Sequence, residues 1–187
     1  MYQSYLYKYK SIKPNVELEI IIKQAITSMR FVGIKYGDED RVDGGFGSKW
    51  EEWFETRSFN KLESLRTDAF ISAYKDSNAY IGLMRWKEGE KFEYWVGMFL
   101  PEGTVVPKGY GYVDFSASNL GVCWLHGPES ELYCKEDKCA KKLSAEGYEI
   151  VTDEIGARWF FERYGCPRFT KTDEEGKIIL DICHFVK

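Results

Sequence analysis

The chain has 187 residues, 44% of them hydrophobic and 30% charged, which fits one globular domain or two small halves sharing a core. Its 26 Lys and Arg against 30 Asp and Glu leave a net charge of −4. That balance lacks the basic footprint of a nucleic-acid binder, and no apolar run is long enough to span a bilayer. The first residues, Met1 to Lys8, carry no signal-peptide h-region, so a cytoplasmic protein is expected. Aromatic residues make up 17% of the chain; rings in such number fill cores and also line pockets for flat or cationic ligands.

Residues 1–15, rich in Tyr and Lys and ending at Pro14-Asn15, read as an N-terminal arm, and residues 16–187 as a single domain. Val16–Ile26 and Met29–Tyr36 are strand-like. Gly37–Gly47 is a Gly- and Asp-rich mobile loop; no Lys-Ser/Thr follows its glycines, so it is not a phosphate cradle of the P-loop kind. Ser48-Lys49-Trp50-Glu51 has capping-box spacing and opens a helix that runs, with a break near Ser58, to Leu65. Trp50, Trp53 and Phe54 share one of its faces, a pattern read as core packing, with one ring free to reach a pocket rim. Tyr80–Trp86 and Phe92–Leu100 form a hairpin about Lys87-Glu88-Gly89-Glu90. Phe92, Tyr94, Val96, Met98 and Leu100 share one face of its second strand, and the opposite face is expected to border a cavity. Pro101–Gly109 reads as a linker.

Two further strands follow, Tyr110–Phe115 and Leu120–His126, then a helix over Pro128–Ser144 ending near Gly147. A terminal hairpin pairs Trp159–Tyr164 with Ile178–Val186. The order is strand, helix, hairpin, linker, strand, helix, hairpin: an α+β chain built of duplicated β-α-β-β units, with halves of about 16–100 and 110–187 and a ligand cleft where they meet.

Five cysteines, an odd count without a signal peptide, favour reduced thiols. Cys123, His126, Cys134 and Cys139 lack zinc spacing and facing, so no metal is expected, nor any cofactor. Neither His126 nor His184 has a Ser or Cys in a nucleophile context.

Glu162 draws most attention. Strand alternation puts its carboxyl on the face of Phe160 and Tyr164, where desolvation is costly unless something compensates. Two readings stand: a surface pair with Arg158 or Arg163, or a polar centre in an aromatic cage. Asp181, in an otherwise apolar strand, is either a second ligand-facing acid or a group held by an Arg or by backbone. Trp124 reads as core or cage, and Tyr112 as a pocket wall.

The run Trp159-Phe160-Phe161-Glu162-Arg163-Tyr164, then Cys166-Pro167-Arg168-Phe169, Asp173-Glu174-Glu175-Gly176 and Ile178-Ile179-Leu180-Asp181, resembles the C-terminal signature of GyrI-like small-molecule-binding proteins. Phe99-Leu100-Pro101 and Val106-Pro107 are similar to the mid-domain strand and linker of that family. The resemblance spans residues 16–187 and implies a cleft for planar lipophilic molecules or xenobiotics. It also implies an effector-binding or drug-sequestering role, and in one subfamily hydrolysis of cyclopropanoid DNA-alkylating agents. It makes Glu162 the polar or catalytic centre; strand pattern and ring type add Tyr112, Trp124, Trp159 and Tyr164 as ligand-binding candidates, and its place in an apolar strand adds Asp181. The resemblance to the regulators lacks their N-terminal DNA-binding region, since the stretch before Val16 is too short for a helix-turn-helix.

Overall fold

A computed structural model describes residues 16–187; the expected N-terminal arm lies outside the described residues. Its strands are β1 (Glu17–Ile26), β2 (Met29–Tyr36), β3 (Tyr80–Trp86), β4 (Glu93–Pro101), β5 (Gly111–Phe115), β6 (Ser118–Gly127), β7 (Arg158–Tyr164) and β8 (Ile178–Val186). Its helices are α1 (Gly47–Glu55), α2 (Ser58–Glu63), α3 (Asp68–Ala73) and α4 (Glu136–Ala145). The strands form one antiparallel sheet in the order β1-β6-β8-β7-β3-β4-β2-β5.

That order contains the duplication. The trio β6-β8-β7 mirrors β2-β4-β3, and the halves join where β7 pairs with β3. Leu83 stands opposite Phe161 at the seam, flanked by the pairs Gly82–Glu162 and Met84–Phe160, as a two-fold axis through Leu83 and Phe161 requires. β4 and β8 are the middle strands of their trios and so occupy equivalent places. Each half also lends an edge strand to the other: β1 pairs with β6, and β5 with β2.

The exchange rolls the sheet. Ile26 and Met29 lie within about 11 Å of each other along the chain, yet β1 and β2 are six strands apart, roughly 29 Å in a flat sheet. The β5–β6 crossover makes the same demand, and the crossovers touch where Ala117 N–H donates to Ser28 Oγ at 3.1 Å. Phe115 of β5 stacks on Phe185 of β8 at 4.8 Å across the rolled interior. This concave face is filled by Phe31, Phe99, Phe161 and Phe185, with Phe70 and Tyr74 at and just after α3. The face of β4 expected to border a cavity is therefore core: Trp95 and Phe99 are buried in it.

The convex face carries the other helices. α1 and α2 bury Trp53, Phe59 and Leu62 against Val32, Val96, Met98 and Leu100. α4 buries Cys139 and Leu143 against Cys123, Leu125, Leu180 and Ile182. The seam strands β3 and β7 run between these two clusters.

Three local expectations change. The long helix expected over 128–144 is a 3-10 turn, Glu129–Glu131, followed by α4; Cys134, at φ 60°, breaks the run between them. The first helix breaks at Arg57, φ 54°, next to Ser58 as expected, but α3 follows without having been expected. The Pro101–Gly109 linker is packed down, since Val106 and Tyr110 join the α1/α2 cluster and Tyr110 donates to the Ser58 carbonyl at 3.1 Å.

Candidate functional site: a buried carboxyl at the seam

Glu162 sits on the convex side of β7, 5% exposed. Gly82 lies opposite it on β3. A Cβ on Gly82 would stand 2.5 Å from the Tyr94 hydroxyl and 3.0 Å from Glu162 Oε2, so the missing side chain makes room for both. Under the two-fold relation Met84 holds the place in the first half that Glu162 holds in the second. Duplication has thus supplied one carboxyl, not two. Gly82→Ala is expected to displace the Tyr94–Glu162 contact and cost about 1–3 kcal/mol, read by denaturant unfolding.

Two phenol donors converge on Glu162, and an indole supports one of them. Tyr164 donates to Oε2 at 2.9 Å and Tyr94 to the same oxygen at 3.3 Å. Trp50 Nε1 of α1 donates to the Tyr94 oxygen at 2.9 Å, and its ring meets Tyr164 edge-on at 4.7 Å. Phe46 lies flat on Tyr94, with centroids 4.2 Å apart and planes 1° from parallel. Phe169 closes on Tyr164 at 4.8 Å.

The second charged group is Glu136, the first residue of α4. Its carboxyl hydrogen-bonds that of Glu162. Burial first, and the Glu136 charge second, push Glu162 up to about 8, against the hydrogen bonds from Tyr164 and Tyr94. Burial also raises Glu136. The phenol donors occupy Oε2 of Glu162, and Glu136 acts on the same carboxyl, so the two acids titrate as a pair. Neither carboxyl has an ion-pair partner among the described residues. Arg163 points to the opposite face, and Arg158 packs on Trp86, 5.7 Å from the ring centroid. Burial and the Glu162 charge hold the Tyr94 and Tyr164 hydroxyls well above their usual range, so both remain donors.

Of the expected site residues, the structure brings Glu162 and Tyr164 together. Trp159 is three residues from Glu162 and on the concave face, its indole donating to Asp153 at 3.0 Å. Trp124 packs against the concave core, under Arg168. Tyr112 lies on β5, four strands from β7, 52% exposed beneath the Arg30 guanidinium. Asp181 is fully buried on the concave side, where it accepts from Arg163 Nε at 2.7 Å and Arg168 Nε at 2.7 Å. Asp76 completes this set with ion pairs to the same two arginines at 3.1 and 2.8 Å. Its job is to tie β7, β8 and the segment after β7 together. Asp181→Ala would leave the Nε donors of Arg163 and Arg168 unsatisfied, with Asp76 as the carboxylate the two arginines still share, and is expected to cost about 1–3 kcal/mol, visible as a lowered urea midpoint with little change in m.

Trp50, Tyr94, Phe46 and Glu136 were not singled out for this site from sequence. Trp50 belonged to a stripe whose neighbour Trp53 is core, 1% exposed. The one signal for Tyr94 is a hydroxyl in an otherwise apolar row. Among the described residues no cluster of three or more His, Cys, Asp or Glu is arranged to hold a metal ion, and no helix is long and apolar enough to cross a membrane.

No protein-family model matches the chain, and no curated protein matches it by sequence. Solved structures do match it. A candidate bacterial transcription regulation protein from Staphylococcus aureus MU50 is 18% identical, with a TM-score of 0.61 over 91% of this chain and 99% of that one. SAV2435, solved with tetraphenylphosphonium bound, is 17% identical, with a TM-score of 0.64 over 90% of this chain and 94% of that one. EcmrR, seen in a complex with DNA, is 10% identical, with a TM-score of 0.54 over 92% of this chain but 58% of that one. At these identities the likeness is one of fold: the chain is an α+β protein of duplicated β-α-β-β units, compatible with a GyrI-like domain.

Proposed function

We propose that this protein binds lipophilic aromatic cations at the seam, with Glu162 as the counter-charge and the rings around it as the walls. The observation that carries the reading is the Glu162 carboxyl, buried among rings, ringed by phenol donors and without a cation of its own. A buried carboxyl in this state is costly to the folded protein, and an arriving organic cation offsets that cost by supplying the missing charge. Aromatic faces add cation–π attraction. The tetraphenylphosphonium bound to SAV2435, a protein of this fold, supports the same ligand class. Holding such a molecule is the task of a sequestering protein or an effector sensor.

Hydrolysis of strained electrophiles gains no support from Glu162. The test is a titration with tetraphenylphosphonium and with the neutral triphenylphosphine oxide at pH 8, followed by Trp fluorescence. Saturable binding of the cation and much weaker binding of the oxide is the expected result. Equal affinity for the two would remove the role given to Glu162.

A further inference from the structure

Phe46 behaves more like a bound molecule than like a wall. It sits on the Gly37–Gly47 loop, which is tied to α1 by an Asp40–Lys49 ion pair at 3.8 Å and by the Phe46 carbonyl, which accepts from Lys49 N–H at 2.9 Å, and is otherwise held by its own contacts. Asp40 accepts from Gly37 N–H, and Val42 and Gly45 exchange backbone hydrogen bonds at 2.9 and 3.0 Å about the turn residues Asp43 and Gly44, both at positive φ. Arg41 Nε donates to Asp38 at 2.9 Å, and another Arg41 nitrogen to the Gly44 carbonyl at 3.0 Å. Outside the loop, Phe46 rests flat on Tyr94, and the Arg41 guanidinium lies 4.5 Å from the Phe46 ring centroid on its way to Phe92.

Gly45 and Gly47 flank Phe46. Neither has a positive φ, and neither has an atom within 4 Å of where a Cβ would stand. Conformation and packing do not require glycine at these positions. What remains is backbone freedom on both sides of one buried ring.

We infer that Phe46, capped by Arg41, is a built-in plug that occupies the place of a flat aromatic cation on Tyr94, and that a ligand enters by displacing the Gly37–Gly47 loop. The inference rests on the reading of the seam as a cation site and adds how the site is kept shut and what shape it takes. A stacked ring bearing a cation is the chemistry the plug imitates, so planar aromatic cations are preferred over globular ones. A plug also lowers apparent affinity by the fraction of molecules in which it is out.

The test uses ethidium, a planar aromatic cation, on the intact protein. Hydrogen exchange of residues 37–47 should become faster when ethidium saturates the wild-type protein. Phe46→Ala and Phe46→Leu, each checked for folding by thermal unfolding, should bind ethidium about tenfold more tightly, since a stacked aromatic contact of ordinary strength is removed from the competitor. Both signs are required. Slower or unchanged exchange in that loop, or weaker or unchanged binding by the Phe46 variants, overturns the plug. Should the variants not fold, the exchange result on the wild type decides alone. Glu162→Gln, run in parallel, separates the two ideas: loss of ethidium binding there with the wrong Phe46 signs sinks only the plug, whereas ethidium binding indifferent to Glu162→Gln sinks the cation site itself.

Discussion

Glu162→Gln should weaken tetraphenylphosphonium binding at pH 8 roughly hundredfold, the scale on which one partner of a desolvated charge pair is lost, and at the same pH should stabilise the fold. The two effects share one cause. Gln keeps the carbonyl that accepts from Tyr94 and Tyr164, and its amide can donate to Glu136 as the protonated acid does. It therefore copies the proton-bearing state and removes the ability to become an anion. For stability, the sign follows from where the carboxyl ionises in each state. Unfolded, it ionises near 4.5; folded, near 8. Below pH 4.5 both states are protonated, and this group adds no pH dependence. Between 4.5 and 8 the unfolded chain gives up its proton first, so wild-type stability declines with rising pH. Above 8 both states are ionised and the deficit is complete. Gln has no such deficit, so its advantage should be absent in acid and reach a few kcal/mol above pH 8, growing by roughly 1.4 kcal/mol for each pH unit crossed between the two ionisations. Urea unfolding of both proteins at pH 4, 6 and 8 measures this. A variant that loses cation affinity and is also destabilised at pH 8 would show Glu162 to be a structural residue.

The second large effect concerns the wild type alone. A cation that pairs with ionised Glu162 must expel the proton, so proton and cation compete. Tetraphenylphosphonium affinity should rise about tenfold per pH unit up to about 8 and then level off. From pH 8 down to pH 6 the expected loss is about fiftyfold, while triphenylphosphine oxide should bind equally at both. The groups around Glu162 leave this window clear. Tyr94 and Tyr164 are held well above it, and His184, stacked on Phe160, is pushed down to about 4 by burial. Glu136, raised by burial, shares the proton with Glu162, and the two titrate as a pair.

Two members of this site, Glu162 and Tyr164, could be read in the chain before any coordinates, and the omissions have physical reasons. Strand alternation placed Glu162 with Phe160 and Tyr164, and that is their arrangement on β7. The same rule separates Trp159 from Glu162, three positions apart, where ring type had drawn them together. Alternation relates residues within one strand only. Whether Trp124 or Tyr112 shares a face with Glu162 depends on register and on how far the sheet rolls, which the exchanged strands β1 and β5 decide. Nothing local marks that exchange: Ile26 and Met29 look like the two sides of a hairpin, and they belong to strands on opposite sides of the sheet. Trp50 reaches Tyr94 and Tyr164, and Glu136 reaches Glu162, because α1 and α4 flank the same seam, a fact of tertiary packing. Gly82 could be seen as a gap in β3, but only its pairing with Glu162 shows what the gap is for.

The most direct test is the count of protons released when the cation binds. Calorimetric titration of the protein with tetraphenylphosphonium at pH 7, in two buffers of different ionisation enthalpy, gives that number. Release of close to one proton per cation by the wild type, and none by Glu162→Gln, is the result expected of a carboxyl that exchanges its proton for the ligand. Tight binding with no proton released, and with the same affinity in both proteins, would contradict it.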